Sequence, residues 1–193
     1  MFTGIIENLG QLKEVDDGIY TFLAPKSFCN KLKIGDSVAI NGVCLTIEKK
    51  IKPEKFIVSI MPETKDRTVL GNLKPKELVN LELPTTNNKF LSGHFVQGHI
   101  DGTGKITAIK KRGNSQILTI KTSNKLARHI VEKGSITING ISLTVANSEK
   151  NDFSVAIIPY TWENTTINQA KIGDLVNIET DIIAKYLEKI LKK

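Results

Sequence analysis

The sequence predicts an all-β protein of two similar halves, followed by one amphipathic helix. Three observations lead to this prediction. Four short segments occur twice in the same order, each half has the pattern of short strands joined by tight turns, and the last residues carry an apolar stripe at helical spacing. Alternation with a period of two is typical of strands, and a period near 3.6 is typical of helices.

The internal repeat decides the domain organisation. Residues 40–47 (INGVCLTI) return as residues 138–145 (INGISLTV), and residues 78–82 (LVNLE) return as residues 175–179 (LVNIE). Residues 62–64 (PET) return as residues 159–161 (PYT), and residues 4–6 (GII) return as residues 98–100 (GHI). Self-similarity that keeps its order along the chain indicates a tandem duplication.

The boundary between the halves falls in the polar stretch 84–89 (PTTNNK), which has no apolar periodicity and is typical of a linker. We therefore predict an N-terminal domain at 1–86, a C-terminal domain at 90–180 and a terminal helix at 181–193. The alternative is a long hairpin loop inside a single domain, and the duplication makes it the weaker choice.

In the first half the predicted strands are 4–15, 19–23, 37–40, 43–49, 55–60 and 78–82. Asn41-Gly42 joins two of them, and Asn139-Gly140 repeats it in the second half. This dipeptide favours a two-residue hairpin because both turn positions need a positive φ. Six short strands with little helix between them predict a small closed or nearly closed antiparallel barrel. Short helices are expected at 27–32 and 124–131.

The tail differs from both halves. Its apolar residues stand at 182, 183, 186, 187, 190 and 191, on one stripe opposite a charged face, and Asp181 suits the helix N-cap. Such a helix either packs on its own domain or buries its stripe against other subunits. Two small barrels offer limited surface to cover it, so self-association is favoured.

Composition excludes several classes of protein. The net charge of +7 comes from scattered lysines without any nucleic-acid recognition motif, so we expect no nucleic-acid partner, while attraction to an anionic ligand stays open. Two cysteines without a CxxC pair and three histidines at unsuitable spacing predict neither a disulfide nor a metal site. No apolar run is long enough to cross a membrane, and the N-terminus lacks the features of a signal peptide. The expected location is the cytosol.

Both halves offer the same set of groups for binding a ligand. Each has a glycine near its start, Gly4 or Gly98, where the backbone can approach a flat molecule closely. Each also has a turn at Pro62 or Pro159 and one strand face with two polar residues: Cys44 and Thr46, or Ser142 and Thr144. This set suits a small polar heteroaromatic molecule. The plain alternative is that Ser and Thr simply favour strands and that Asn-Gly only makes turns.

The two copies differ at reactive residue types: Cys44 against Ser142, Ile5 against His99, and Glu63 against Tyr160. A duplicated site that diverges in this way indicates two related ligands that are handled differently. Alternatively, Cys44 is only a small buried apolar residue and His99 only a strand residue. The sequence has no nucleophile elbow, P-loop or dinucleotide fingerprint.

The same segments resemble the riboflavin synthase family (α-chain type) over nearly the whole chain. The matching blocks are residues 1–7 (MFTGIIE), 41–46 (NGVCLT), 93–100 (GHFVQGHI), 139–144 (NGISLT) and 176–181 (VNIETD). The resemblance implies two similar six-stranded Greek-key β-barrels, a C-terminal helix, and a homotrimer held largely by those helices. Association with lumazine synthase stays open.

The resemblance also implies a reaction, the final step of riboflavin biosynthesis. Two molecules of 6,7-dimethyl-8-ribityllumazine dismutate by transfer of a four-carbon unit, giving riboflavin and 5-amino-6-ribitylamino-pyrimidinedione without a metal or redox cofactor. Each barrel would bind one lumazine. The productive pair would form between the N-terminal barrel of one subunit and the C-terminal barrel of another.

The implied roles fall on residues of both halves. His99 would transfer a proton and Ser142 would move protons or a hydroxide equivalent. Cys44 and Ser37 would serve the other ring, Asp181 would orient ribityl hydroxyls or polarise a neighbour, Phe2 would pack against the reacting pair, and Lys133 would hold a ribityl hydroxyl or ring oxygen. The implied substrate-binding residues are Gly4, Ile5, Ile6, Cys44, Leu45, Thr46, Ser59, Ile60, Met61, Pro62, Glu63 and Thr64 in the first half, and Gly98, His99, Ile100, Lys133, Ser142, Leu143, Thr144, Ala156, Ile157, Ile158, Pro159, Tyr160 and Thr161 in the second.

One departure concerns Tyr160, which stands where some family members have Glu. It puts in doubt a carboxylate contact to the second ribityl chain, although a phenol could replace it. The main rival function is that of a non-catalytic lumazine or flavin carrier, an antenna protein with one working site. A flavin reductase is a weaker rival, because two barrels leave no room for a nicotinamide domain. All six implied catalytic residues are present, which favours the enzyme.

Overall fold

The computed structural model describes residues 1–51, 53–88 and 90–192. In that part of the chain the fold is mostly β, with thirteen strands and five α-helices. The predicted all-β class with a C-terminal helix is therefore confirmed. Lys89 of the predicted linker and Lys193 of the predicted tail lie outside the described residues.

The first half forms one antiparallel sheet in the order β4-β3-β7-β1-β2-β6-β5. Its strands are β1 Asn8–Asp16, β2 Ile19–Leu23, β3 Ser37–Ile40, β4 Val43–Thr46, β5 Lys49–Ile51, β6 Lys55–Ser59 and β7 Leu78–Glu82. The second half forms a closed six-stranded barrel in the order β10-β11-β12-β9-β8-β13. Its strands are β8 Gly102–Arg112, β9 Ser115–Lys121, β10 Ser135–Ile138, β11 Ile141–Glu149, β12 Asp152–Ile157 and β13 Leu175–Thr180.

The two sheets differ at one strand. The predicted strand 43–49 is interrupted after Thr46, so the first sheet has seven shorter strands instead of six. At this point the chain leaves β3 for β6: the Ile47 amide donates to Asp36 O at 2.9 Å, and the Glu48 amide donates to Ile57 O at 3.0 Å. In the second half β11 makes the same change of partner through a register shift between Val145 and Asn147 and remains one strand. In the second half the physical cause is a β-bulge at a corner of the barrel.

Other boundaries depart from the sequence prediction. β1 begins at Asn8, because residues 4–6 pack on the other half of the molecule. The short helices α1 Lys26–Cys29 and α3 Asn124–Ala127 are shorter than predicted. The segments after Pro62 and Pro159 are helices, α2 Pro62–Arg67 and α4 Pro159–Asn164, each with proline in its first turn, where its missing N–H costs nothing.

Each half has its own apolar core. The first contains aromatic side chains, and the Phe22 and Phe56 rings stack with centroids 5.7 Å apart. The second consists mainly of aliphatic residues such as Ile106, Ile120 and Ile136. Ile100 packs against the first core and Ile6 against the second, so the start of each repeat reaches across to the opposite core.

The halves meet around their Asn-Gly turns, which have the positive φ values that the sequence predicts. A Cβ placed on Gly42 would lie 2.7 Å from Gly140 N, and the reverse distance is the same. The Asn177 side-chain amide donates to Asn41 O at 2.8 Å, and that of Asn80 donates to Asn139 O at 3.0 Å. These reciprocal contacts relate the repeats by an approximate twofold axis between the two turns.

The terminal helix α5 Ile182–Leu191 begins at Asp181, whose side chain accepts the Ile183 N–H at 2.9 Å. Its polar face contacts the second barrel, where Lys185 pairs with Asp101 at 2.6 Å. Its apolar stripe is exposed. Within residues 1–51, 53–88 and 90–192, no helix has the length and apolar character required to span a membrane.

Candidate functional site

The start of each repeat completes the strand face of the other repeat. The Cys44 amide donates to Gly98 O at 2.9 Å, and the Ser142 amide donates to Gly4 O at 2.7 Å. Both glycines have positive φ, and a Cβ on either would lie under 3 Å from the Cβ of Cys44 or Ser142. Only glycine tolerates this approach, which explains why the repeated segments keep it.

A buried carboxylate holds each of these segments, which we call arm 1 (residues 1–6) and arm 2 (residues 93–100). Glu82 at the end of β7 accepts the Thr3 N–H at 2.7 Å and the Gly4 N–H at 3.0 Å. Glu179 in β13 accepts the Gln97 N–H at 2.7 Å and the Gly98 N–H at 2.9 Å. Burial raises the pKa of Glu179 to about 7, and the two amide hydrogen bonds oppose this shift.

A cavity of about 280 Å³ lies where arm 2 meets β4 and α2. We call it the first pocket. Its lining residues are Val43, Cys44, Met61, Glu63, Thr64, Arg67, Thr68, Gly98, His99 and Ile100. Arg67 forms an ion pair with Glu63 at 3.1 Å, so the rim presents a guanidinium, a carboxylate, a thiol and an imidazole around exposed backbone. Such a set can bind a polar heterocycle and its hydroxylated side chain.

The equivalent place in the second half, the second site, has a different polar centre. The Ser142 hydroxyl lies 2.8 Å from Nδ1 of His94, and a Cβ on Gly93 would lie 3.1 Å from that hydroxyl oxygen. Burial lowers the pKa of His94, and the nearby Asp181 carboxylate opposes the shift. A neutral imidazole has one ring nitrogen free to accept a proton, so the Ser142–His94 pair is equipped for proton transfer.

Phe2 connects the two places. It is fully buried with Val96 and Ala39, and Cys44 packs against this cluster. The backbones of Phe2 and Val96 bond to each other in both directions, at 2.8 and 3.2 Å. The two arms are thus joined to each other as well as to the opposite repeats.

Comparison with known proteins agrees with the duplication of the chain. The family model of the lumazine binding domain matches residues 3–84 and 97–181, one match per repeat. The riboflavin synthase of Actinobacillus pleuropneumoniae is 46% identical over 197 residues, which cover 100% of this chain and 91% of that protein. That of Mycobacterium tuberculosis strain H37Rv is 41% identical over 199 residues, covering 100% of this chain and 98% of that protein.

The chain belongs to the riboflavin synthase family. Among solved structures, LumP complexed with 6,7-dimethyl-8-(1'-D-ribityl) lumazine is similar, with a TM-score of 0.83, 22% identity, and coverage of 94% of this chain and 99% of LumP. At that identity the likeness concerns the fold alone.

The first pocket contains a quarter of the residues that the family resemblance implied. Seven line it: Cys44, Met61, Glu63, Thr64, Gly98, His99 and Ile100. The sequence grouped Gly98, His99 and Ile100 with the second half, but the structure places them on the first. For the same reason Gly4, Ile5 and Ile6 lie at the second site, because Gly4 pairs with Ser142 and Ile6 packs on the second core.

Other implied residues have different surroundings. Ile60 and Ile157 are buried in the barrel cores and Leu45 is 7% exposed, so these side chains stabilise the fold instead of facing a ligand. Lys133 has a positive φ and its ammonium group lies 3.9 Å from Glu132 on an exposed loop. Ser37 faces Thr46 across the β3–β4 ladder, and the Ser59 hydroxyl donates to Glu48 at 2.9 Å.

The remaining implied residues lie near the second site or on the exposed segment from β12 into α4. Leu143 packs partly against the second core, while Thr144 is exposed beside it on β11. Asp181 caps α5 and is close enough to His94 to affect its pKa. The segment from β12 into α4 carries the rest, mostly exposed, with the Tyr160 side chain among them: Ala156, Ile158, Pro159, Tyr160 and Thr161.

Sequence reasoning missed four residues of the two places: Arg67, His94, Glu82 and Glu179. His94 stands in the matching block 93–100, but it was considered only as a metal ligand. Glu82 and Glu179 end the repeated segment 78–82 and 175–179, which was the available signal. Among the described residues, no cluster of three or more His, Cys, Asp or Glu side chains is arranged to hold a metal. A cavity of about 630 Å³ between the repeats is lined by none of the implied site residues.

Proposed function

We propose that the chain is a riboflavin synthase, a transferase that dismutates two molecules of 6,7-dimethyl-8-ribityllumazine. One lumazine gives its four-carbon unit to the other, so the products are riboflavin and 5-amino-6-ribitylamino-pyrimidinedione. The observation that carries this proposal is the full-length similarity to riboflavin synthases at 41–46% identity, with both repeats retained. Because one molecule gains what the other loses, the reaction as written requires no external oxidant or reductant.

In this proposal each ring is held by one repeat and the other repeat's arm. The first pocket offers Cys44 and His99 beside exposed backbone, and the second site offers the Ser142–His94 pair. The C7 methyl group of a lumazine is acidic because its carbanion is delocalised into the ring, so a positioned base suffices to remove a proton. We assign that base to the Ser142–His94 pair and the acceptor ring to the first pocket. Holding both rings in register supplies a large part of the rate.

The proposed assembly is a homotrimer in which rings from two subunits meet, with domains at 1–86 and 90–180 and the trimerisation helix at 181–193. The exposed apolar stripe of α5 supports it, since Ile183, Tyr186 and Ile190 are each more than half exposed. The proposal includes a cytoplasmic location. Association with lumazine synthase is compatible with it.

The test is incubation of the purified protein with the lumazine and a chelator, without added cofactor, followed by riboflavin fluorescence and lumazine absorbance. We expect one riboflavin for every two lumazines consumed. Ser142→Ala should lower turnover strongly, while Ser115→Ala, at the start of β9, serves as the matched control. Tight binding without riboflavin formation would instead indicate a carrier of the antenna type. A protein that neither binds nor converts the lumazine would refute the proposal.

A further inference from the structure

Each of the two buried carboxylates belongs to one repeat but holds the arm that completes the ligand place of the other repeat. Glu179 belongs to the second barrel, but the amides that it holds belong to arm 2, which completes the first pocket. Glu82 belongs to the first sheet, but it holds Thr3 and Gly4 of arm 1, and Gly4 pairs with Ser142. Both side chains are almost fully buried, at 3% and 1% exposure.

We propose that Glu179 and Glu82 are positioning residues that act across the repeat boundary, each fixing the arm that completes the other repeat's ligand place. Glu179 holds Gly98 against Cys44, and Glu82 holds Gly4 against Ser142. This inference rests on the proposed function for the identity of the ligand, but not for the positioning itself. It goes beyond the reacting groups, because each carboxylate acts through the arm amides that it holds.

The geometry requires a carboxylate at each position. Both oxygens of Glu179 accept an N–H, one from Gln97 and one from Gly98. A glutamine has only one acceptor oxygen, and its NH₂ group would face the second N–H as donor against donor. Above a pH of about 7, where Glu179 is ionised, these hydrogen bonds are charge-assisted and therefore stronger than neutral ones. Replacement by glutamine should therefore remove one of the two hydrogen bonds to the arm, while the volume of the side chain stays nearly the same.

The arm is fixed at its other end as well. Gly98 O accepts from Cys44 N, and the positive φ of Gly98 leaves no space for a side chain on that face. Beyond Ile100, Asp101 accepts from the Thr180 hydroxyl at 2.8 Å and from Lys185 of α5 at 2.6 Å. Loss of the Glu179 contacts therefore loosens a short stretch over Cys44, because both flanks remain held.

Thiol labelling tests this without any ligand. Cys44 is partly exposed and the other cysteine, Cys29, is buried, so the labelling rate of native folded protein by a small disulfide reagent reports on the cover over Cys44. In Glu179→Gln we expect Cys44 to react faster, on the order of tenfold, which corresponds to the loss of one charged hydrogen bond. In Glu82→Gln the rate at Cys44 should rise clearly less than in Glu179→Gln, because arm 1 reaches Cys44 through the packing of Phe2, whereas Gly98 of arm 2 bonds to Cys44 itself.

The repeat provides the reciprocal experiment. The double variant Cys44→Ser with Ser142→Cys exchanges the residues of two equivalent positions and moves the reporter thiol to the second site. On that background Glu82→Gln should accelerate labelling and Glu179→Gln should not. A larger effect of each carboxylate on its own repeat than on the opposite one, or equal effects on both thiols, would overturn the proposal, since a general loss of stability would not favour the opposite repeat.

Two further measurements guard the interpretation. Thermal unfolding of each variant shows whether it folds, and Glu179→Asp, which keeps both acceptor oxygens on a shorter chain, should label at a rate between the parent and Glu179→Gln. An aspartate variant that labels like glutamine, or faster, would contradict a role for the two oxygens. Failure of lumazine turnover alongside a crossed labelling pattern would refute the proposed reaction and leave the positioning intact.

Discussion

At the scale of single residues, the pair of Ser142 and His94 carries the chemistry proposed for the second site. Its hydrogen bond of 2.8 Å joins a hydroxyl to an imidazole whose pKa is lowered by burial. A lowered pKa keeps the ring neutral, and thus able to accept a proton, to a lower pH than an ordinary histidine. The nearby Asp181 carboxylate works in the opposite direction and would stabilise the imidazolium once formed.

We expect His94→Gln to reduce turnover by roughly a hundredfold, within the range that a positioned base contributes. In the parent protein kcat/KM should fall as the pH drops through the lowered pKa of His94, because the protonated ring cannot accept a proton. That acid limb should disappear in the variant, and a pH–rate profile measures it. An unchanged acid limb in His94→Gln would exclude His94 as the base.

The sequence predicted some residues of these two places but not how the two repeats contact each other. The repeat identified Cys44, Ser142, Gly4 and Gly98, because a duplicated chain marks the positions that both copies keep. It could not show that Gly98 meets Cys44 instead of Ser142, because a swap of arms between repeats leaves the sequence pattern unchanged. Glu179 escaped notice for a related reason: its partners lie 82 and 81 positions away along the chain.

At the scale of elements, α5 packs on its own barrel by its charged face. Glu188 accepts hydrogen bonds from His129 at 2.6 Å and from Lys192, and pairs with Arg128 at 2.9 Å. The apolar pattern predicted both the helix and its stripe. It left open which face of the helix meets the barrel, because that depends on Arg128 and His129, which lie far away along the chain. The helices α2 and α4 were missed since they are too short to show an apolar period.

The contacts of Glu188 predict an acid-sensitive helix. They lower the pKa of Glu188 to about 2, with the hydrogen bonds from Lys192 and His129 as the main causes. Because the folded pKa lies below the unfolded value near 4.5, the stabilisation is present above about pH 4.5 and is lost as the pH falls toward 2. Amide exchange in α5 should therefore speed up over this range, after correction for intrinsic rates.

In Glu188→Gln the same amides should exchange faster at neutral pH and show little further change on acidification. Glu132→Gln, an exposed carboxylate on the loop that follows His129, is the matched control and should behave like the parent protein. A parent-like acid response in Glu188→Gln would mean that other carboxylates control the docking of α5.

At the scale of the whole molecule, the approximate twofold axis relates the two proposed ligand places, and their different side chains come from the divergence of the repeats. The turns meet glycine to glycine, and Asn80 and Asn177 each bond backbone of the other repeat. Each such bond contributes about 1 kcal/mol. These contacts hold the first pocket and the second site together within one subunit. The proposed homotrimer then requires the facing ring to come from a second subunit.

That requirement predicts that assembly and turnover are lost together. We expect the double variant Ile183→Gln with Ile190→Gln, in the exposed stripe of α5, to sediment as a single subunit where the parent sediments as three. It should still bind two lumazine analogues per chain, because in this proposal each place is formed within one chain. Its turnover should be roughly a hundredfold slower, because no second ring faces the bound one. Lys189→Gln, on the same helix outside the stripe, is the control. By mass action, raising the concentration of the variant should restore part of its rate per subunit. A variant that is monomeric at every concentration and still turns over at the parent rate would place both reacting rings in one subunit and refute the shared site.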